Sequence, residues 1–89
     1  MYGDKNAKRI TIRMAVLSAA PNLAAVPTSK PDRRHQLKGD RHGQFAVDIV
    51  HPFRLVFCPN HDPVPRTEDG GIDLFRVTAI EILEVEDYH

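Results

Sequence analysis

Apolar side chains recur at helical spacing in the first part of the chain. Between residues 4 and 20 they are three or four positions apart, a period that predicts an amphipathic helix. The apolar stripe consists of Ala7, Ile10, Met14 and Leu17. The basic residues expected largely off this stripe are Lys5, Lys8, Arg9 and Arg13. Asp4 is a suitable N-cap, Pro21 ends the helix, and one more helical turn is expected at residues 22–26.

A second pattern, alternation with a period of two, begins in the middle of the chain. It predicts strands at residues 35–38, 44–50, 53–58 and 77–85. A turn from Gly39 to Gly43 separates the first two, and the tight link His51-Pro52 favours an antiparallel hairpin. Residues 59–75 are expected to form a long loop. The predicted fold class is α+β, with an N-terminal helix or helical pair packed on a small antiparallel sheet of three to four strands.

Length and charge limit the classes of protein to which the chain can belong. Its 89 residues allow a single domain with a thin core, which favours stabilisation by a partner or an oligomer. The 12 basic and 12 acidic residues balance, which excludes a globally basic nucleic-acid binder. The charges are unevenly placed, however: residues 28–42 sum to +3 (five basic, two acidic) and residues 59–89 to −6 (two basic, eight acidic). The basic first half is therefore the candidate polyanion surface.

Several features favour a soluble, cytoplasmic protein that works without a metal or another cofactor. Cys58 is the only cysteine, which excludes an internal disulfide framework. We expect no signal peptide after Met1, and the longest strictly apolar run is four residues, too short to span a bilayer. The five histidines lack metal-binding spacing, and neither a phosphate-binding loop nor a carboxylate cluster for Mg²⁺ is recognisable.

The candidate chemistry lies in a few polar residues that break these patterns. Arg54 is on the strand face opposite Phe53 and Leu55, where it either extends to solvent or points into a polar site on the sheet. His89, beside its own α-carboxylate and near Asp87, is a candidate proton-transfer group. The cationic and proton-transfer residues together are His35, Lys38, Arg41, Arg54, Tyr88 and His89. Such a set suits metal-free cleavage of a phosphodiester, with cations on the phosphate and an acid and a base for its oxygens.

Three segments carry a specific combination of residues. They are HQLKGDRHGQ at residues 35–44, HPFRLVF at residues 51–57 and VTAIEILEVEDYH at residues 77–89. Together, in this order and spacing, they resemble the HigB-like plasmid-maintenance killer proteins of the RelE/ParE superfamily of type II toxins. The resemblance covers about residues 2–89.

The resemblance implies a RelE-like fold and a ribosome-dependent mRNA endonuclease in which a 2′-hydroxyl attacks the neighbouring phosphate without a metal. It implies catalytic roles for His35, Lys38, Arg54, Asp87, Tyr88 and His89. Among these, Lys38 and Arg54 would hold the phosphate and His89 would be the leading general acid or base. We also expect contacts to the RNA backbone from Lys30, Arg33, Arg34, Lys38 and Arg41. The implied partners are a helix-turn-helix (HigA-like) antitoxin, the ribosome and mRNA.

The chain departs from these toxins at its N-terminus, because relatives have a further strand and helix before the position of Met1. We therefore expect an exposed sheet edge and either self-association, most simply as a homodimer with two-fold symmetry, or a chain that stays poorly folded until a partner binds. Two other interpretations stay open. One is a non-catalytic family member, either a gyrase-inhibiting toxin or an antitoxin-binding remnant. The other is an unrelated RNA-binding module built on residues 30–41.

Overall fold

The computed structural model describes residues 3–50 and 52–87 of the chain. Its helix and strands are α1 (Gly3–Ala19), β1 (His35–Gln36), β2 (Phe45–Asp48), β3 (Phe53–Pro59) and β4 (Ile80–Asp87). Single turns of 3₁₀-helix lie in the connections at Leu23–Ala25, Gly39–Arg41 and Leu74–Arg76. The helix packs on a four-stranded antiparallel sheet, so the predicted α+β fold is confirmed. Because α1 begins at Gly3, Asp4 lies in its first turn and not at the predicted N-cap.

The strands lie side by side in the order in which they follow one another along the chain. Each neighbouring pair is antiparallel, and β2 and β3 form the predicted hairpin with Asp48 opposite Arg54. His51, in the link of that hairpin, lies outside the described residues. β4 begins at Ile80 and not at Val77 as predicted, because Val77 still closes the preceding 3₁₀ turn. The side chain of Val77 nevertheless belongs to the core.

A β-bulge interrupts β4 at Leu83. Val56 of β3 lies opposite Glu84 and Phe57 lies opposite Ile82, so Leu83 has no partner in the register. An extra residue of this kind shifts the alternation of side chains by one position. Beyond the bulge, the acidic residues at alternate positions of β4 therefore lie on the side of the sheet that points away from α1.

The other side of the sheet packs against α1 and forms the main core. Its most deeply buried side chains are Phe45, Val47, Leu55 and Phe57, each at most 1% exposed. The rings of Phe45 and Phe57 stack with their centroids 6.0 Å apart. The helix and the connections contribute Leu17, Leu23, Val26 and Val77. Burial of a large apolar side chain stabilises a fold by about 1.5–3 kcal/mol, so this face supplies the hydrophobic stabilisation of the domain.

The orientation of α1 differs from the prediction at two neighbouring residues. Met14, expected in the apolar stripe, is 44% exposed, whereas Arg13, expected off that stripe, is 5% exposed. Arg13 Nε donates a hydrogen bond to the carbonyl oxygen of Asp48 at 2.7 Å and lies 3.4 Å from Asp32 Oδ1. A buried cation is tolerated where a carboxylate and a carbonyl oxygen replace water. Both partners are distant in sequence, so helical spacing alone did not reveal them.

Candidate functional site

The side of the sheet that points away from α1 carries polar side chains around a small apolar centre. We call it the open face. Leu37, Ala46 and Val56 are buried there, apart from the main core. Arg54 lies next to Val56 on this face, because residues two apart on a strand point the same way. The polar residues of the open face are therefore the candidates for binding and chemistry.

Two arginines and two glutamates of the open face form one cluster, which we call the arginine–glutamate cluster. Glu86 accepts hydrogen bonds at both carboxylate oxygens: Arg41 Nη1 donates to Oε1, and Arg54 Nε donates to Oε2 at 2.6 Å. Arg54 Nη2 also contacts Glu86 Oε2. Arg41 Nη2 donates to Glu84 Oε2 at 3.2 Å. Of the two orientations that the sequence left open for Arg54, the structure has the one that points into a polar site.

The arginine–glutamate cluster is partly shielded from water. The side chains of Arg54, Glu86 and Arg41 are 14%, 20% and 31% exposed. Burial by itself raises the pKa of Glu86, but the hydrogen bonds and charges of Arg41 and Arg54 outweigh it and hold that pKa below its ordinary value. Glu86 is consequently ionised at neutral pH. The formal charges of two arginines and two glutamates then cancel within the cluster.

The backbone before β2 positions Arg41. Gly39 and Gly43 have φ angles of +65° and +93°, a conformation that favours glycine. Gly39 begins the 3₁₀ turn that carries Arg41, and Gly43 follows shortly after it. The N–H of Gln44 donates to the carbonyl oxygen of Arg41 at 2.9 Å, and Gln44 Oε1 accepts from Arg41 Nε at 3.3 Å. The turn that the two glycines predicted is therefore the element that brings a guanidinium group across to β4.

The bulge at Leu83 positions Glu86. With the bulge, the register places Glu86 opposite Arg54. Without the extra residue, continuation of the pairing from Ile82 would place Glu86 opposite Phe53, on the side that faces α1. One unpaired residue in β4 thus decides that both carboxylates of the cluster reach the open face.

Two other predicted site residues, His35 and Lys38, lie on or beside the open face. His35 pairs with Ala46 in the sheet, and its Nδ1 lies 2.9 Å from the carbonyl oxygen of Arg33. If Nδ1 carries the proton and donates it to that carbonyl, Nε2 is the proton acceptor, as a general base requires. Lys38 is exposed and immediately precedes the 3₁₀ turn that carries Arg41.

Of the three predicted catalytic residues Asp87, Tyr88 and His89, the structure describes Asp87 only. Asp87 pairs with Phe53, one position beyond the pair that Glu86 makes with β3. By alternation, Asp87 lies on the other side of β4 from Glu86. Tyr88 and His89 lie outside the described residues, and they follow β4 directly in the sequence.

In the basic stretch predicted to contact RNA, all three arginines bind groups of the protein itself, and Arg41 does so in the arginine–glutamate cluster. Arg33 Nη1 lies 3.4 Å from Asp48 Oδ2, and Arg34 Nε donates to the carbonyl oxygen of Val26 at 3.0 Å. Burial lowers the pKa of the Arg34 guanidinium. Lys30 is exposed in the connector. Arg33 and Arg34 are thus tied to the body of the domain, whereas the lysines of the stretch are exposed.

Glu84 and Glu86 are not among the predicted site residues, although the sequence carries a signal for them. Apolar and acidic residues alternate along β4, and the alternation changes phase at Ile82-Leu83, where two apolar residues adjoin. Such a change of phase within a strand is typical of a bulge. Allowing for one bulged residue places both glutamates on the face of Arg54.

Across residues 3–50 and 52–87, no group of three or more His, Cys, Asp or Glu side chains is arranged to hold a metal ion. Within the same part of the chain, no helix is both long and apolar enough to cross a membrane. A scan against protein-family models gave no match, and neither did a search of curated proteins.

Proposed function

We propose that this protein is the toxin of a type II toxin–antitoxin system and a ribosome-dependent mRNA endonuclease that needs no metal. The observation that supports the proposal is the convergence of Arg41 and Arg54 on one carboxylate of the open face. Two shielded guanidinium groups that share an anion are suited to a phosphate, which accepts the same charge-assisted hydrogen bonds. The HigB-like combination of residues around both arginines supplies the reaction class.

The reaction transfers a phosphate linkage within the RNA. The 2′-oxygen of one nucleotide forms a bond to the adjacent phosphorus, and the bond from phosphorus to the 5′-oxygen of the next nucleotide breaks. The products are a 2′,3′-cyclic phosphate and a 5′-hydroxyl. A base must take the 2′-proton and an acid must give a proton to the 5′-oxygen.

The residues of this chain divide those tasks. Arg54, with Arg41 and Lys38, would stabilise the charge that develops on the phosphate oxygens. His35 and His89 would exchange the two protons, with His89 the leading candidate for the general acid or base. Tyr88 would stack on a base or assist proton transfer, and Asp87 would orient its neighbours. The basic stretch from Lys30 to Arg41 would contact the RNA backbone.

We also propose that the protein acts in the cytoplasm, where its substrate is translated. Its partners would be the ribosome with bound mRNA and a helix-turn-helix antitoxin of the HigA type.

The decisive experiment is in vitro translation with and without the protein, followed by mapping of the mRNA ends. The wild type should generate new 5′ ends within the translated region, and only when ribosomes are present. Arg54→Gln should reduce cleavage by about 10²–10³-fold, the usual effect of removing one group that stabilises transition-state charge. His89→Ala should reduce it by about 10²–10⁴-fold.

Arg76→Gln is the matched control, since it makes the same chemical change at an exposed residue of the β3–β4 connection. It should cleave like the wild type. Equal cleavage by the Arg54 and Arg76 variants would show that the open face is not the active site. An absence of new mRNA ends with the wild type would exclude the endonuclease function itself.

One observation favours a second function, that of a non-catalytic member of the same superfamily. Both arginines of the cluster are already paired with carboxylates of the same chain. A protein that only binds an antitoxin or inhibits gyrase has no need of a cationic phosphate site. This alternative predicts inhibition of DNA supercoiling by gyrase, or antitoxin binding without toxicity, and no mRNA cleavage.

A further inference from the structure

We infer that Glu86 is an internal competitor of the RNA phosphate, so that the phosphate site of this protein is closed by its own carboxylate until RNA displaces it. This inference deepens the proposed function and relies on it for the identity of the displacing anion. It concerns the regulation of the site and not the chemical step.

The geometry of Glu86 is that of a bound anion. One carboxylate oxygen accepts from Arg41 and the other from Arg54, so the group bridges two guanidinium side chains that come from different elements. A phosphate presents the same features, namely two or more anionic oxygens able to accept from two separate donors. Phosphate and carboxylate therefore cannot both occupy this position.

The charges indicate that the competition is strong. Glu84 and Glu86 pair with Arg41 and Arg54, and Asp48 lies opposite Arg54 in the sheet, so a further anion meets guanidinium groups that are already paired with carboxylates. Because the cluster is only 14–31% exposed at its three central side chains, its interactions are less screened by water than those of a surface ion pair. RNA must therefore replace existing hydrogen bonds when it binds.

Glu86 is also placed where it can leave. It lies at the C-terminal end of β4, which pairs with β3 alone among the described strands. A glutamate side chain has three rotatable bonds, so the carboxylate can turn away from the arginines without movement of the side chains that pack against α1. Glu84, with a side chain that is 54% exposed, contacts Arg41 only and is the weaker of the two competitors.

The experiment measures binding of a short 2′-O-methyl oligoribonucleotide, which cannot be cleaved, by fluorescence anisotropy at constant ionic strength. Glu86→Gln should bind this probe about tenfold more tightly than wild type, since one set of charge-assisted hydrogen bonds no longer has to be broken. Glu84→Gln should give a smaller gain of about twofold to threefold.

Glu81→Gln is the matched control. Glu81 lies on the same strand and on the open face, opposite Cys58, and its loss changes the net charge by the same amount. Glu81 is not a member of the cluster, so the affinity of Glu81→Gln for the probe should stay within about twofold of wild type. A second control adds Arg54→Gln to Glu86→Gln and should abolish the gain, because the released arginine is its source.

Equal affinities for the Glu86 and Glu81 variants would overturn the inference, and so would a failure of every variant to bind the probe. If Glu86→Gln does not fold, the affinities of Glu84→Gln, Glu81→Gln and wild type for the probe are compared instead. An affinity of Glu84→Gln equal to that of wild type would contradict the competition. The proposed function is judged separately, by mRNA cleavage. Tighter binding by Glu86→Gln together with a wild type that never cleaves would support the competition and refute the endonuclease.

Discussion

The two faces of the sheet are built from alternate residues of the same strands, yet their environments differ. On the side of α1, Phe57 is fully buried and stacks on Phe45. The next residue, Cys58, lies on the open face and is only half-buried; its burial and the charge of Glu81 raise the pKa of the thiol. One face is stabilised by buried area and shape, and the other by the balance of charges.

Because of this difference, the residues that stabilise the domain and the residues of the candidate site lie on opposite faces of the sheet. A change on the side of α1 should alter the free energy of unfolding and leave the arrangement of charges intact. A change on the open face should alter the arrangement of charges, and with it the proposed binding and catalysis, with a smaller effect on unfolding. The following variants test how far that separation extends, beginning with the largest effect.

Phe57→Ala should destabilise the domain by about 3–5 kcal/mol, because it opens a cavity between α1 and the sheet. Cys58→Ala, one residue further on, should cost less than about 1 kcal/mol, because its smaller side chain is only half-buried. Urea denaturation followed by circular dichroism measures both free energies. Similar losses of unfolding free energy for the two variants would mean that the open face stabilises the domain as much as the side of α1 does.

Arg13→Met should destabilise the domain by about 3 kcal/mol, since it leaves the carboxylate of Asp32 buried without a cation. Arg9→Met, an exposed arginine of the same helix, is the control and should have little effect. The double variant Arg13→Met with Asp32→Leu should recover most of the lost stability. This test shows whether a charged group is tolerated on the side of α1 only when its oppositely charged partner is present.

Acid should destabilise the domain through the open face. The pKa of Glu86 is lower in the folded chain than its ordinary value of 4.5, so its stabilising contribution is complete above that value and is lost as the pH falls through the folded pKa. The difference in unfolding free energy between wild type and Glu86→Gln should therefore be constant near neutral pH and shrink below pH 4.5. A difference that does not change with pH would show that the pairing with Arg41 and Arg54 does not stabilise the fold.

The smallest effect is expected at the rim where the two faces meet. Ile82 and Leu83 of β4 are 39% and 41% exposed, and Met14 lies with Ile80 and Ile82 around a shallow apolar cavity between α1 and β4. We expect weak self-association through this rim, detectable by light scattering at high micromolar concentration. Ile82→Lys should abolish it, whereas Phe75→Ala, at an exposed site in the β3–β4 connection, should not. A wild type that stays monomeric, with a melting transition independent of concentration, would contradict the expectation.

Much of the fold could be predicted because its signals are local. The spacing of Leu17 and Ile10 gave the helix, the glycines around residues 39–43 gave the turn, and the alternation of Phe45 and Val47 gave a strand with one apolar face. Each of these depends on residues close together in the chain, where period and turn chemistry are informative.

The residues that were mispredicted or overlooked depend on partners far away. Arg13 is buried because the carbonyl oxygen of Asp48, 35 positions later, accepts its hydrogen bond. Glu86 meets Arg54 through a register set by a bulge, and Arg41 meets Glu86 across 45 positions. The roles of Tyr88 and His89 remain predictions, since both lie outside the described residues. Within the candidate site, the sequence therefore predicted the cations but not the anions that hold them.

The bulge at Leu83 has a further consequence, for behaviour in concentrated solution. A long, flat edge strand with apolar residues is a template on which strands of other molecules add without limit. The extra residue in β4 increases the local twist and breaks the continuous row of backbone donors and acceptors along the edge. We therefore expect the bulge to hinder the addition of further strands to β4 and the growth of fibrils from this edge.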